Sequence, residues 1–288
     1  MKKIFLLASV LFSLCGFSQT VNNTLTFKKG QKLEMVSKVN SVISMEMMGQ
    51  AMETKIDATI TKHFDIENAD NAMATIEHKM KRIQMSIESP ITGANSLDSD
   101  NEKDMKGDGG KEMEKALKNK YTMTVDAKGK ITNVKADDNN PNKTEAKASE
   151  GMMANAMSQV AGGMTLPKAG DLSDFSILPD QNLAKGATWA DSTKASKTVY
   201  TVSDITDAEI IVDYIENGTS ERVQEGNGME IKISAKEKTT GKIMLDRKTG
   251  LLKEKTGVTE SEGTMEMMGQ TLPMTTKTQK TITVKEAK

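Results

Sequence analysis

One long segment of this chain, Thr144 to Met164 (TEAKASEGMMANAMSQVAGGM), carries helical periodicity, and the regions on either side of it read mainly as β. Met153, Met157, Val160 and Met164 recur at the i, i+3, i+4, i+7 spacing of one helix face, widened by Met152, Ala156 and Ala161. Thr144 or Ser149 supplies a cap, and Gly162-Gly163 with Pro167 just beyond marks the end. A single long helix between two β regions predicts a mainly β, antiparallel protein. We expect a strongly curved sheet or open half-barrel, with the Met-rich helix packed on its concave side.

The flanks supply the strands. Lys55 to Phe64 alternates, with Ile56, Ala58, Ile60 and Phe64 on the buried side. Ile66 to Asn71 reads as a turn, and Ala72 to Glu88 returns as a second long strand. From Ser89 to Gly110 the apolar pattern is lost, which predicts an acidic loop, and Lys111 to Lys118 reads as a short amphipathic helix. Hairpins are expected about Asp126-Ala127-Lys128-Gly129 and Asp246-Arg247-Lys248-Thr249-Gly250, where glycine supplies the positive φ that the turn requires. Asn217-Gly218 reads as another turn, and Lys277 to Val284 as the strand that closes the sheet. The domain reading is a 19–140 meander, a 141–167 helix with its linker, and a 168–288 meander completing the same sheet.

The first residues predict export. Lys2-Lys3, the apolar run Ile4 to Leu14 and the small residues Gly16 and Ser18 form a signal peptide of residues 1–18, too short to serve as a membrane anchor. Cys15 is the one cysteine, but Leu14 stands where a lipobox needs a small residue, which argues against lipidation. The chain after cleavage has no cysteine, so its stability must come from a core and not from disulfides. Removing Lys2 and Lys3 from the 39 basic residues leaves 37 against 40 acidic ones, a near-neutral mixture that argues against a nucleic-acid partner. No second apolar run is long enough to span a membrane.

Catalytic signatures are missing from the sequence: there is no phosphate loop, nucleophile elbow or HExxH pattern. His63 and His78 lie in separate strands and are expected to be exposed, without metal-ligand spacing. Asp98 to Asp104 places oxygen ligands at alternate positions, but Lys103 stands where a calcium loop needs glycine, so a solvated loop is the expectation. No enzyme activity and no cofactor are expected. Methionine is the unusual residue, with 22 in the chain. Its thioether is polarisable and adaptable, which suits either plain packing or a surface that accepts varied apolar shapes. Met45, Met47, Met265 and Met267 would form a soft-metal, Cu(I)-type site only if their strands were neighbours.

Met45-Glu46-Met47-Met48-Gly49-Gln50 recurs letter for letter at Met265 to Gln270. Either the two halves descend from a duplication, or the two hexapeptides are adjacent strand ends in one sheet. The signal peptide ending in Phe-Ser-Gln, the run Gly162 to Pro167, the segment Lys185 to Ser192 and the hairpin Asp246 to Leu252 resemble a family of uncharacterised secreted proteins of Bacteroidetes, a domain of unknown function. The architecture is also similar to periplasmic lipoprotein carriers of the LolA and LppX kind, which implies only a sheet wrapped about helices. The expected function is non-catalytic binding of a lipid or other apolar ligand in a cleft walled by Met152, Met153, Met157 and Met164, with Trp189 at its rim. The other readings are a cell-envelope protein that meets a protein partner, and soft-metal binding.

Overall fold

The structure is a computed structural model and describes residues 20–47, 49–70, 72–90, 93–107, 109–141, 165–226, 229–267 and 269–287. Its strands are β1 (Thr20–Val21), β2 (Lys32–Met47), β3 (Gln50–Asp70), β4 (Met73–Ser89), β5 (Gly93–Asp98), β6 (Tyr121–Asp126), β7 (Ile131–Ala136), β8 (Leu183–Ala184), β9 (Thr188–Ser192), β10 (Ser196–Ile205), β11 (Glu209–Gly226), β12 (Met229–Asp246), β13 (Leu252–Met267) and β14 (Gln270–Glu286). Two short helices, α1 (Glu102–Lys106) and α2 (Gly110–Leu117), lie between β5 and β6. The expected helix at 144–164 falls outside the described residues.

Twelve strands form one curved antiparallel sheet in the order β7-β6-β4-β3-β2-β14-β13-β12-β11-β10-β9, with β5 also paired to β4, and the sheet does not close into a barrel. Period-2 patterning explains why only one face is covered. On β14, Thr271, Pro273, Thr275, Lys277 and Gln279 are exposed, while Leu272, Met274, Thr276, Thr278, Lys280 and Ile282 turn to the other side and are buried or half-buried. The same alternation on β3 buries Ala58, Ile60, Phe64 and Ile66. β3 has 21 residues and so spans about 70 Å.

The C-terminal strand does not finish at an edge. β14 pairs with β2, from Met274 opposite Met45 to Glu286 opposite Leu33, so the first and last strands of the large sheet are neighbours in its middle, while β1 pairs with β8 in a separate two-stranded sheet. Consequently the two identical hexapeptides form adjacent hairpin tips at the same end, which is the second of the two sequence readings.

At the opposite end of the strands sits the larger core. Phe175, from the irregular segment 165–182, packs edge-on against Phe64 with centroids 5.0 Å apart and against Phe27 at 5.5 Å. Phe64 and Phe175 are completely buried. Backbone hydrogen bonds join this segment and the N-terminal residues to the hairpin turns: Ile131 N donates to Asp171 O, Leu25 N to Ala127 O, and Thr26 N to Thr249 O. Both expected Asp-turn hairpins are present. Asp246 Oδ1 accepts from the amides of Lys248 and Thr249, Asp126 Oδ1 accepts from those of Lys128 and Lys130, and Gly129 and Gly250 have φ of 83° and 69°. Neither position has room for a side chain, because a Cβ on Gly129 would meet Ser176 and one on Gly250 would meet the Thr24 carbonyl.

Three local expectations are corrected. Ile66 does not begin a turn; β3 continues through a register shift between Ile66 and Asn68, and Ile66 is buried in the core. Asn217-Gly218 lies inside β11, paired to Lys238 and Glu237, where Gly218 lets Ser196 and the Ala195 carbonyl approach closely. The acidic stretch after Ser89 is built and not open loop: β5 pairs with β4, Asp98 binds Arg82 at 2.6 Å, and Asn101 caps α1 by accepting from Lys103 N. The carboxylates that resembled a calcium loop are thereby engaged, Asp98 by Arg82 and Asp104 by the amide of Asp98. The next helix, α2, matches its expected position and lays Met113 and Ala116 on Val39, Ala58, Met80 and Ile83 of the sheet.

Candidate functional site

Between the Phe175 core and the α2 contact, the covered face of the sheet holds a cavity of about 280 Å³. Four strands and the irregular segment build it. Met35 and Ser37 come from β2, Ile60 and Lys62 from β3, Leu252 and Lys255 from β13, and Lys280 and Ile282 from β14. Ser173, Asp174, Ser176 and Ile177 close it from above. Register explains the convergence: Ser37 lies between Ile60 and Ile282, Met35 opposite Lys62, and Lys255 opposite Ile282. Alternation then puts all of these side chains on one face.

Among the described residues, three lysines and one aspartate line this space. Asp174 Oδ2 pairs with Lys62 Nζ at 3.6 Å. Lys255 stands 5.0 Å above the Tyr214 ring. Lys280 makes no hydrogen bond or ion pair with any described residue. Burial pushes the pKa of Lys280 down, and the charges of Lys255 and Lys62 push it the same way, against a smaller opposing pull from Asp174. Burial likewise lowers Lys255, opposed by Glu216. Two hydroxyls add to the imbalance: Ser37 Oγ and Ser173 Oγ are buried and have no hydrogen-bond partner among the described residues. Ser173 is only 5% exposed. The cavity therefore combines apolar walls with hydrogen-bond donors that outnumber the acceptors facing them.

An aromatic row leads to it across the sheet. Trp189, Tyr200, Tyr214, Gly241, Gly257 and Lys280 lie directly opposite one another on successive strands from β9 to β14. Trp189 stacks on Tyr200 at 4.9 Å and 10°. Tyr214 lies over the two glycines: a Cβ on Gly241 would come within 2.5 Å of its Cε1, and one on Gly257 would strike its hydroxyl. That hydroxyl donates to the Thr256 carbonyl at 3.2 Å. Flat packing of a ring over missing side chains is how a glycine pair in a sheet keeps its surface covered.

Beyond the cavity, towards the hairpin tips, the same face turns polar and then apolar again. Ser41 pairs with Thr278 and Thr239 with Thr259, each at 2.8 Å. Past them lie Met45, Met52, Met265, Leu272 and Met274. Of the sequence-selected residues, Trp189 is half-buried at the edge of this face, and Met152, Met153, Met157 and Met164 lie outside the described residues. Met45 and Met265 share the face, but β14 runs between their strands and carries Met274 opposite Met45, so their backbones are about 10 Å apart. The side chains of Met47 and Met267 are not described. No group of three or more His, Cys, Asp or Glu able to hold a metal occurs among the described residues.

His78 is not exposed as expected. It is 2% accessible, stacks on Tyr121 at 4.4 Å and meets the edge of Phe64 at 5.2 Å, and burial lowers its pKa to about 4. His63 is half-buried against Glu34 at 3.2 Å. Sequence reading missed the lysine cavity because Lys62, on β3, is far along the chain from Lys255 and Lys280 on the β13–β14 hairpin. The available signal was a lysine at an inward position of each strand.

What the fold defines is an open, large antiparallel sheet with one covered face and a donor-rich cavity beneath it. Residues 71–252 match a family of unknown function (DUF6263), and the chain belongs to that family. No curated protein matches it. Among solved structures it is similar to lipovitellin, in a structure titled for its lipid–protein interactions, at 9% identity and a TM-score of 0.51 over 91% of this chain and 26% of that one. The chain thus spans about a quarter of lipovitellin's length, and the likeness is one of fold. An outer membrane channel from Pseudomonas putida F1 aligns over 91% of this chain and 98% of its own, at 7% identity and a TM-score of 0.27, too low to carry an argument. No helix among the described residues is long and apolar enough to cross a membrane.

Proposed function

We propose that the protein is an exported, non-catalytic binding protein that holds a lipid or other amphipathic molecule against the covered face of its sheet. The observation that carries this reading is the cavity itself. Met35, Ile60, Ile177, Leu252 and Ile282 give it apolar walls, while its three lysines come from β3, β13 and β14 and Asp174 from the segment above them. A chamber of about 280 Å³ is at the small end of ligand sites, enough for a head group and the first carbons of a chain. Half-buried Met45, Met52, Met265 and Leu272 extend apolar surface further along the same face. Methionine suits chains of differing shape, since its side chain adapts at low cost. Lipovitellin offers a parallel at the level of fold, and the basic-then-apolar start of the chain supports export.

Native mass spectrometry of protein purified from its own host, without detergent, tests this. The expected result is an added mass that organic extraction releases as a lipid. A population carrying no added mass would contradict it.

A further inference from the structure

We infer that the cavity is an anion site, and that the molecule it takes carries a carboxylate or phosphate head held by Lys280, Lys255 and the hydroxyls of Ser173 and Ser37. The inference rests on the amphipath reading above and specifies its polar end. Four observations converge. Lys280 and Lys255 line the cavity, and neither forms an ion pair with a carboxylate among the described residues. Asp174, the one aspartate on the wall among the described residues, is already shared with Lys62. Ser173 Oγ and Ser37 Oγ are buried donors with no acceptor among the described residues. Lastly, Tyr214, which could have presented a hydroxyl, directs it to the Thr256 carbonyl and offers Lys255 only its ring face.

A neutral head group such as an alcohol offers these donors a single oxygen and leaves the charge of the two ammonium groups unbalanced, whereas one oxyanion supplies several lone pairs and the opposite charge. Charge-assisted hydrogen bonds of this kind are the strong ones. The cost of bringing the lysines out of water is borne in the folded protein, which is the arrangement expected of a preorganised site and not of a stabilising contact. Carboxylate and phosphate share this chemistry, and the source, a lipid head or a free ion, is what the test separates.

Isothermal titration of the purified protein with dodecanoate, dodecanol and inorganic phosphate, repeated on Lys280→Met and Lys280→Arg, tests the assignment. The expected result is that dodecanoate binds about tenfold tighter than dodecanol, that Lys280→Met removes the difference, and that Lys280→Arg keeps most of it. Should Lys280→Met prove unfolded by circular dichroism, Ser173→Ala takes its place and must weaken dodecanoate without weakening dodecanol. Equal affinity for the acid and the alcohol overturns the anion site and leaves the amphipath reading intact. Binding of phosphate but of neither dodecyl compound upholds the anion site and removes the amphipath reading. No binding of any probe removes both.

Discussion

Lys255 stands over the face of Tyr214, its ammonium nitrogen 5.0 Å from the ring centre. The contact ties together two features that the chain builds separately: a ring laid over two glycines, and a set of lysines turned inward from the centre of a sheet. A lysine on an aromatic face is partly compensated. Lys280, one diagonal step away on β14, lacks even that.

Replacing Lys280 by methionine should therefore make the protein more stable while it loses its anion preference. Burial and the charges of Lys255 and Lys62 hold the Lys280 pKa below its ordinary value, so the fold resists the charged form. An apolar side chain of similar length removes that penalty, by about 1 kcal/mol, or a rise of about 2–4 °C in Tm. Scanning calorimetry of the ligand-free protein reads the change. A lower Tm for a folded variant would show that the charge is compensated.

The glycine pair under Tyr214 makes a sharper test of packing. A Cβ on Gly257 meets the Tyr214 hydroxyl, but its next neighbours stand at 3.4 and 3.5 Å. Gly257→Ala should cost about 1–2 kcal/mol, and Tyr214→Phe in the same chain should restore much of it, since only the hydroxyl collides. Urea denaturation of the two single variants and the double one gives the coupling. Additive losses would place the strain elsewhere.

His78 predicts a pH dependence with a definite sign. Its pKa falls from 6.5 to about 4 in the fold, with burial the main cause and the Lys62 charge the next. The unfolded chain thus binds the proton more readily, so the contribution is complete above pH 6.5 and is lost as pH falls towards 4. Its full size is about 3 kcal/mol. Denaturation midpoints between pH 7 and 4 should drop less in His78→Phe than in the parent. Parallel curves would mean that the imidazole already accepts a proton in place.

Phe175 anchors the irregular segment that roofs the cavity, through edge contacts to Phe64 and Phe27. Phe175→Ala should destabilise by about 3–5 kcal/mol. Protease cleavage between residues 165 and 182 should then become faster, as read by mass spectrometry. Unchanged cleavage would mean that the backbone bonds of Gly170, Asp171 and Ser173 to the β6–β7 hairpin hold the segment without the ring.

Much of the scaffold was legible because it is local. The alternation of Lys55 to Phe64, both Asp-turn hairpins and α2 follow from period and turn chemistry within a few residues. Ile66 and Gly218 were misread because a bulge and a close cross-strand approach look like turn signals until the partner strand is known. The site was not legible for the same reason at longer range. Lys62 and Lys280 are 218 positions apart in the chain and come together only because β14 inserts beside β2, a pairing that no local pattern encodes. The repeated hexapeptide was the one long-range clue, and it located the hairpin tips rather than the cavity.

The most direct test is to see where an acyl anion lies. Crystals grown with ω-bromododecanoate should show, by anomalous scattering, bromine on the covered face of the sheet, with the carboxylate within hydrogen-bonding distance of Lys280 Nζ. Bromine on the solvent face of β13 and β14, or a carboxylate pointing away from the three lysines, would contradict the account.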